Sequence, residues 1–123
     1  MIFMEVIKKP ILTYGIKYSA LQNREEIGRE RLFFINNDLH IESFAYVEDV
    51  FVSEQQRGKG IGTRLVNQLI HDAQSTGCYK IIACSRFENV NVHDFYEKMG
   101  FKKHGYKFRL DLKNILSTNK KKI

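Results

Sequence analysis

The chain contains 123 residues, of which 43% are hydrophobic, and 20 lysines and arginines against 14 acidic residues give it a net charge of +6. This length fits one domain with a single core, so we assign residues 1–115 to that domain and residues 116–123 to a basic tail. Glu5 and Lys8 interrupt the apolar residues at the start of the chain. No run there is long enough for a signal peptide or a membrane span, which favours a cytoplasmic protein.

The positive charge is compatible with two kinds of polyanionic partner. A nucleic acid is one, but the lysines form no stripe interleaved with aromatic residues, and the terminal run Lys120–Lys122 is typical of a solvated tail. A small polyanion is the other, because a positive field raises its local concentration. The spacing of Cys78 and Cys84 fits neither a zinc site nor a disulfide framework, and both are expected to be reduced packing residues. No spacing of His, Cys, Asp and Glu indicates a metal.

The first part of the chain predicts short β-prone segments and one helix. Pro10 ends the first strand, Ser19 and Gly28 are a helix cap and a helix stop, and Asn36–Asp38 tolerate the backbone of a tight turn. In chain order we expect a strand over Ile2–Ile7, a strand over Ile11–Tyr18, a helix over Ser19–Gly28 and a β-hairpin of Arg31–Ile35 with Leu39–Ile41.

The second part predicts strands that alternate with amphipathic helices. In chain order we expect a strand over Phe44–Val52, a helix from Ile61 that stops at Gly77, a buried strand over Cys78–Ser85, a short helix that ends at Gly100 and a closing strand over Tyr106–Leu112. Glu48 and Asp49 are adjacent in the first of these strands, so they are expected to point to opposite faces. This order of elements predicts an α+β fold, an α/β/α sandwich with a helix-covered sheet.

A short basic loop precedes the long helix, and it consists of Arg57, Gly58, Lys59, Gly60, Ile61 and Gly62. Glycines let the backbone approach a ligand closely, and the N–H groups at a helix N-terminus attract anions such as a pyrophosphate. The loop fits neither the Walker nor the Rossmann pattern, because each of these requires glycines at spacings that the loop does not have. The remaining phosphate-loop pattern is Gln/Arg-x-x-Gly-x-Gly/Ala, which Arg57, Gly60 and Gly62 satisfy. A basic glycine turn without a ligand is the alternative.

A second motif lies downstream, over Asn89–Phe101. It places Asn89, Phe95, Tyr96, Glu97, Lys98, Gly100 and Phe101 in the register of Asn-x-x-Ala-x-x-Phe-Tyr-Glu-Lys-x-Gly-Phe. With the loop Arg57–Gly62, this motif resembles the GNAT superfamily of N-acetyltransferases, and the resemblance covers residues 44–112. Within that superfamily, the segments Tyr46–Val50 and Gly77–Ile82 look similar to glucosamine-6-phosphate N-acetyltransferases.

The resemblance implies a mixed, mostly antiparallel sheet in which two splayed parallel strands, here Phe44–Val52 and Cys78–Ser85, hold acetyl-CoA. It implies that backbone N–H groups of the loop Arg57–Gly62 bind the pyrophosphate. The N–H groups of Phe51 or Val52 would bind the pantetheine and the thioester carbonyl, and Asn89 would contact the cofactor's arm.

The resemblance also implies direct attack of a primary amine on the thioester. Tyr96 matches the tyrosine that protonates the departing thiolate, and packing in the apolar face of its helix is the alternative. Glu48 is the candidate base for the ammonium, and a structural salt bridge is the alternative role for it.

The N-terminal part departs from the family pattern, because at most one short helix fits before residue 30 where the family has two. A partner subunit that completes the acceptor side of the cleft is therefore a hypothesis, which predicts a homodimer. The rival functions are an acyl-CoA-binding sensor without turnover and a small basic nucleic-acid binder.

Overall fold

The computed structural model describes residues 2–115 of the chain as an α+β fold. Its four strands form one mixed sheet in the order β1-β2-β3-β4, in which β1, β2 and β3 are antiparallel and β4 runs parallel to β3. The elements are β1 (Thr13–Gln22), β2 (Glu25–Ile35), β3 (Phe44–Val52), α1 (Ile61–Thr76), β4 (Ile81–Ala83) and α2 (Val90–Lys98), with a 3₁₀ turn at Glu54–Gln56 before α1. The expected fold class, a mostly antiparallel sheet with one parallel pair, is confirmed.

The N-terminal part differs from the sequence prediction. Residues 2–12 form no strand, and the segment Ser19–Gly28 is not a helix but the end of β1, a turn and the start of β2. The turn is made by Asn23 and Arg24, which have φ of 51° and 66°, the backbone that joins adjacent strands in two-residue hairpins. The helix prediction was wrong because cross-strand pairing of a long alternating segment outweighs a local capping signal.

The predicted hairpin of Arg31–Ile35 with Leu39–Ile41 was also wrong. β2 pairs instead with β3, and Leu39 and Ile41 lie exposed in the loop between them. The Asn36 and Asn37 side chains accept hydrogen bonds from the backbone N–H groups two residues later, at 2.9 and 3.0 Å. These local bonds stabilise a turn at these residues, and the turn replaces the predicted strand.

One face of the sheet packs against α1 and forms the core. Leu32 of β2 and Ala45 of β3 are fully buried there, as are Val66 and Leu69 of α1. The helix ends as predicted at Gly77, whose φ of 87° lets its N–H and that of Cys78 bond back to the last turn. We call this side of the sheet the helix face.

β3 contains a bulge that changes which side chains share a face. Its buried residues are Ala45, Val47, Val50 and Val52, so the buried positions are two apart except at one interval of three. Asp49 has a φ of 59° in this interval, and the pairing with β2 shifts register opposite it. Glu48 and Asp49 consequently lie on the same face of β3, and the prediction that they point to opposite faces was wrong. We call this second side the open face; β3 contributes Phe44, Tyr46, Glu48, Asp49 and Phe51 to it.

The C-terminal part of the described chain forms no strand over Tyr106–Leu112. Its alternate apolar residues are exposed by 78% to 93% of their surface, namely Tyr106, Phe108, Leu110 and Leu112. The predicted closing strand is therefore not part of the sheet, and the predicted tail at residues 116–123 lies outside the described residues. No helix among residues 2–115 is long and apolar enough to cross a membrane.

Candidate functional site

The loop Arg57–Gly62 runs from β3 into α1 with the geometry of an anion site. Gly58 and Gly60 have φ of 76° and 82°, which favours glycine at both positions, and a Cβ on either would meet no atom within 4 Å. Gly60 is the N-cap of α1 and its carbonyl accepts the first intrahelical bond, from the N–H of Arg64 at 3.0 Å. The N–H groups before Arg64 have no intrahelical acceptor and point out of the helix end, where the helix dipole is positive. This open space can accept a pyrophosphate.

The two cationic side chains of the loop have different surroundings. Arg57 Nε donates to the carbonyl of Val52 at 2.9 Å, and its guanidinium lies 5.8 Å from the centre of the Phe51 ring. Lys59 Nζ donates to Gln56 Oε1 at 3.2 Å in an exposed position. Arg57 is therefore anchored to the end of β3, whereas Lys59 makes a single exposed hydrogen bond, which an anion could replace. Among the predicted cofactor residues, Val52 is buried on the helix face and Phe51 lies on the open face.

A cleft begins where β3 and β4 separate. Their parallel pairing covers only Ala45–Val47 with Ile81–Ala83, and β3 continues to Val52 without β4 beside it. The backbone groups of Glu48–Val52 on that edge are consequently not used by the sheet. An extended ligand arm can pair with such an edge as an additional strand does.

Tyr96 of α2 lies half-buried between aromatic rings, 5.5 Å from Phe95 and 5.3 Å from Phe101, measured between ring centres. Burial raises the pKa of its hydroxyl, and the nearby Glu30 and Cys84 raise it further. The phenol is therefore neutral at physiological pH and holds the proton that an acid must carry. The ring packs in this aromatic cluster, which agrees with the packing alternative, and the role of Tyr96 as an acid stays a prediction.

Glu48 lies exposed on the open face, opposite Arg31 of β2. Tyr46 lies two residues earlier on the same face, and the thiol of Cys84, just after β4, is close to its hydroxyl. Burial, the neighbouring Cys84 and the nearby charge of Glu48 raise the pKa of Tyr46 to about 12. Cys84, just after β4, is thus near both Tyr46 of β3 and Tyr96 of α2, and Glu48 is near Tyr46.

Asp49, the second carboxylate of β3, forms an ion-pair cluster that sequence reasoning missed. Its Oδ2 accepts from Arg29 Nε at 2.7 Å and also from Arg31 Nη1. Arg29 stacks on Phe51 with 4.4 Å between its guanidinium carbon and the ring centre. The apolar spacing around Glu48-Asp49 was the available signal, since Val47 and Val50 are three residues apart in a strand that otherwise alternates.

Glu30 of β2 is the second feature that the sequence did not reveal. It is fully buried on the helix face, and neither carboxylate oxygen has a hydrogen-bond partner among the described residues. Burial, with a smaller contribution from the charge of Asp72, raises its pKa to about 8. Asp72 itself accepts a hydrogen bond of 2.6 Å from the hydroxyl of Tyr18, which is the cross-strand neighbour of Glu30.

The remaining predicted position is Asn89, the N-cap of α2. Its carbonyl accepts from the N–H groups of Val92 and His93, both at 3.1 Å, so its backbone starts the helix. A separate groove of about 410 Å³ lies between β1 and α1; Ile61 and Arg64 are in its lining, but Tyr96 and Glu48 are not. Among residues 2–115, no group of three His, Cys, Asp or Glu side chains is arranged to hold a metal ion.

Most of the described chain matches the model of one known protein family. The model of the acetyltransferase (GNAT) family matches residues 16–101, which include β2, β3, the loop, α1, β4 and α2. A glucosamine 6-phosphate N-acetyltransferase of Trypanosoma brucei brucei is 42% identical over 67 residues, which are 54% of this chain and 44% of that protein. The chain therefore aligns with less than half the length of this relative.

Two solved structures have the same fold. A putative acetyltransferase from Agrobacterium tumefaciens superposes with a TM-score of 0.74 at 26% identity, over 79% of this chain and 68% of that one. The glucosamine-6-phosphate N-acetyltransferase of Arabidopsis thaliana superposes with a TM-score of 0.74 at 24% identity, over 80% and 67% of the two chains. At this identity the second likeness shows the fold alone.

Proposed function

The chain belongs to the GNAT family of acetyltransferases, and from this membership we propose that it transfers an acetyl group from acetyl-CoA to a primary amine. The observation that carries the proposal is the pairing of two features in one molecule. A helix N-terminus with an open glycine loop lies at one end of β3, and the cleft between β3 and β4 begins along the same strand. A long substrate with a pyrophosphate and an extended thiol arm fits both.

The donor would be held mainly by backbone groups. We assign the pyrophosphate to the N–H groups of the loop Arg57–Gly62, with Lys59 as a mobile counter-charge. The pantetheine arm would lie along the free edge of β3, where the N–H groups of Phe51 or Val52 can donate to it and to the thioester carbonyl. Asn89 would contact the arm from the start of α2.

The chemistry needs one base and one acid, and the site has a candidate for each. Glu48, directly or through a water, takes a proton from the ammonium form of the acceptor, and the freed lone pair attacks the thioester carbon. A C–N bond forms, and the nitrogen of the tetrahedral intermediate releases its second proton to solvent. The C–S bond breaks, the thiolate takes a proton from the hydroxyl of Tyr96, and solvent restores that proton. Burial raises the pKa of Tyr96, so its hydroxyl is protonated when the thiolate forms. The same shift makes the phenol a weaker acid than a free tyrosine, so the transfer depends on the thiolate lying beside it.

The acceptor is proposed as an amino sugar phosphate, by similarity to the glucosamine 6-phosphate N-acetyltransferase of Trypanosoma brucei brucei. That similarity covers 54% of this chain. The direct test is to mix the protein and acetyl-CoA with glucosamine 6-phosphate, a polyamine, an amino acid and an aminoglycoside, and to measure released thiol. Turnover with the amino sugar phosphate alone supports the assignment, and turnover with another class replaces it. Binding of acetyl-CoA without thiol release on any acceptor refutes the enzyme and favours an acyl-CoA sensor.

A homodimer is proposed as the working assembly. The segment Tyr106–Leu112 exposes four apolar side chains on alternate residues, which is the pattern of a strand with one face to bury. β4 is the last strand of the sheet in the described part of the chain, so its outer edge can accept another strand. Light scattering at micromolar protein should give twice the mass of one chain, and a monomeric mass would refute the dimer.

A further inference from the structure

We propose that Asp49 is a positioning residue for the transfer reaction, because Arg29 and Arg31 hold its carboxylate and thereby fix the bulge that places Glu48 at the mouth of the cleft. We call these three residues the bulge clamp. The inference rests on the proposed function, since it concerns the same cleft and the same base. It assigns the three residues a role that acts through Glu48.

The backbone at Asp49 needs an external interaction to stay in place. Its φ of 59° is in the left-handed region, which strains a residue with a Cβ. Two guanidinium groups from alternate residues of β2 converge on its Oδ2, at 2.7 Å for Arg29. The side chain of Asp49 is 17% exposed and that of Arg29 is 12% exposed, so water screens this pair only partly.

The bulge decides what β3 offers to the cleft. In a regular strand that keeps Val47 buried, Asp49 would enter the core and Val50 would face outwards. The bulge instead keeps Val50 and Val52 at 3% and 2% exposure and leaves Glu48 and Asp49 together on the open face. Burial of the two valines favours the register in which they face the core. The clamp holds the backbone conformation at Asp49 that this register requires.

Contacts of the bulge clamp extend to the loop Arg57–Gly62. Arg29 stacks on Phe51 at 4.4 Å, and the guanidinium of Arg57 lies 5.8 Å from the centre of the same ring. Arg57 in turn donates to the carbonyl of Val52. A continuous set of contacts therefore joins the bulge to Arg57, the first residue of the loop. The Arg57 side chain links the loop to the end of β3.

A purely structural ion pair would have a different signature from a positioning one. If the clamp contributes only stability, its variants unfold at lower denaturant concentration but the folded fraction turns over normally. If it positions Glu48, the folded variants bind acetyl-CoA but transfer the acetyl group slowly, because a misplaced base lowers the rate of the chemical step.

The test compares Asp49→Asn and Asp49→Gly with Asp38→Asn. Asn and Gly both tolerate a positive φ, so these variants remove the carboxylate without adding backbone strain. Asp38 is the matched control, because it has a φ of 63° and an exposed ion pair with Lys9 in the loop between β2 and β3, outside the bulge. We expect both Asp49 variants to lose about tenfold or more in kcat with the acetyl-CoA Kd within about threefold, and Asp38→Asn to match the wild type.

A second pair of variants separates charge from the rest of the side chain. Arg31→Lys should retain most of kcat, whereas Arg31→Met should lose it and change the acidic limb of the pH–rate profile. Normal kcat in both Asp49 variants, or a fall in kcat that follows the folded fraction, overturns the proposal. If the wild type shows no turnover, the proposed function fails, and amide hydrogen exchange over residues 48–52 still decides the clamp. Faster exchange in Asp49→Asn than in Asp38→Asn supports it, and equal exchange refutes it.

Discussion

The buried carboxyl of Glu30 gives a strong quantitative prediction about folding. Its side chain is 0% exposed, neither oxygen has a partner among the described residues, and its pKa rises from 4.5 to about 8 in the folded protein. A neutral carboxyl is tolerated in this environment, but an ionised one is not. Glu30→Gln keeps the shape of the side chain and removes the ionisation.

The sign and size of the effect follow from the two pKa values. Below pH 4.5 the carboxyl is protonated in both states, so pH has no effect on the difference between variant and wild type. Between pH 4.5 and about 8 the unfolded chain ionises while the folded chain does not, and the wild type loses stability relative to the variant. The difference grows to about 3 kcal/mol at pH 7 and levels off at about 4–5 kcal/mol above pH 8.

The assay is urea unfolding of wild type and Glu30→Gln at several values between pH 4 and pH 9. Glu26→Gln is the control of opposite sign, because hydrogen bonds from Lys17 and Ser19 lower the pKa of Glu26 in the folded protein. That variant should be less stable than the wild type at neutral pH, and the gap should close on acidification. A free-energy difference between Glu30→Gln and wild type that does not change with pH would refute the reasoning, since the carboxyl would then ionise equally in both states.

Three further predictions concern the cleft. Gly60→Glu should abolish acetyl-CoA binding, measured by calorimetry, because it places a negative charge in the anion site. The control is Gly77→Glu, at the other end of α1, where the backbone is also left-handed. This control should lose about 1–2 kcal/mol of stability and bind acetyl-CoA normally. Tyr96→Phe should lower kcat by about 10²-fold or more with little change in the acetyl-CoA Kd, while the exposed Tyr106→Phe should have no effect; equal rates for both variants would return Tyr96 to a packing role. Glu48→Gln should lower kcat/KM and remove the acidic limb of its pH profile, and an unaltered profile would exclude Glu48 as the base.

The sequence by itself predicted the elements around the proposed acetyl-CoA site. The loop Arg57–Gly62, the helix that follows and the motif Asn89–Phe101 were all recognisable, because their information is local. Each depends on residues a few positions apart: glycines that allow a left-handed backbone, apolar residues at helical spacing, and a glycine that ends the helix at Gly77. The match of the family model to residues 16–101 agrees with this part of the prediction.

Only the tertiary structure decided the features that depend on distant residues. The segment Ser19–Gly28 carries a helix cap and a helix stop, yet pairing between β1 and β2 makes it a hairpin. The alternating apolar residues over Tyr106–Leu112 predict a strand, but they do not specify the strand with which it would pair. The orientation of Glu48 and Asp49 was mispredicted for the same reason. A strict two-residue period holds only for an uninterrupted strand, and the bulge is stabilised by two arginines of another strand and by the burial of Val50 and Val52, so its energy comes from contacts that the local sequence does not contain.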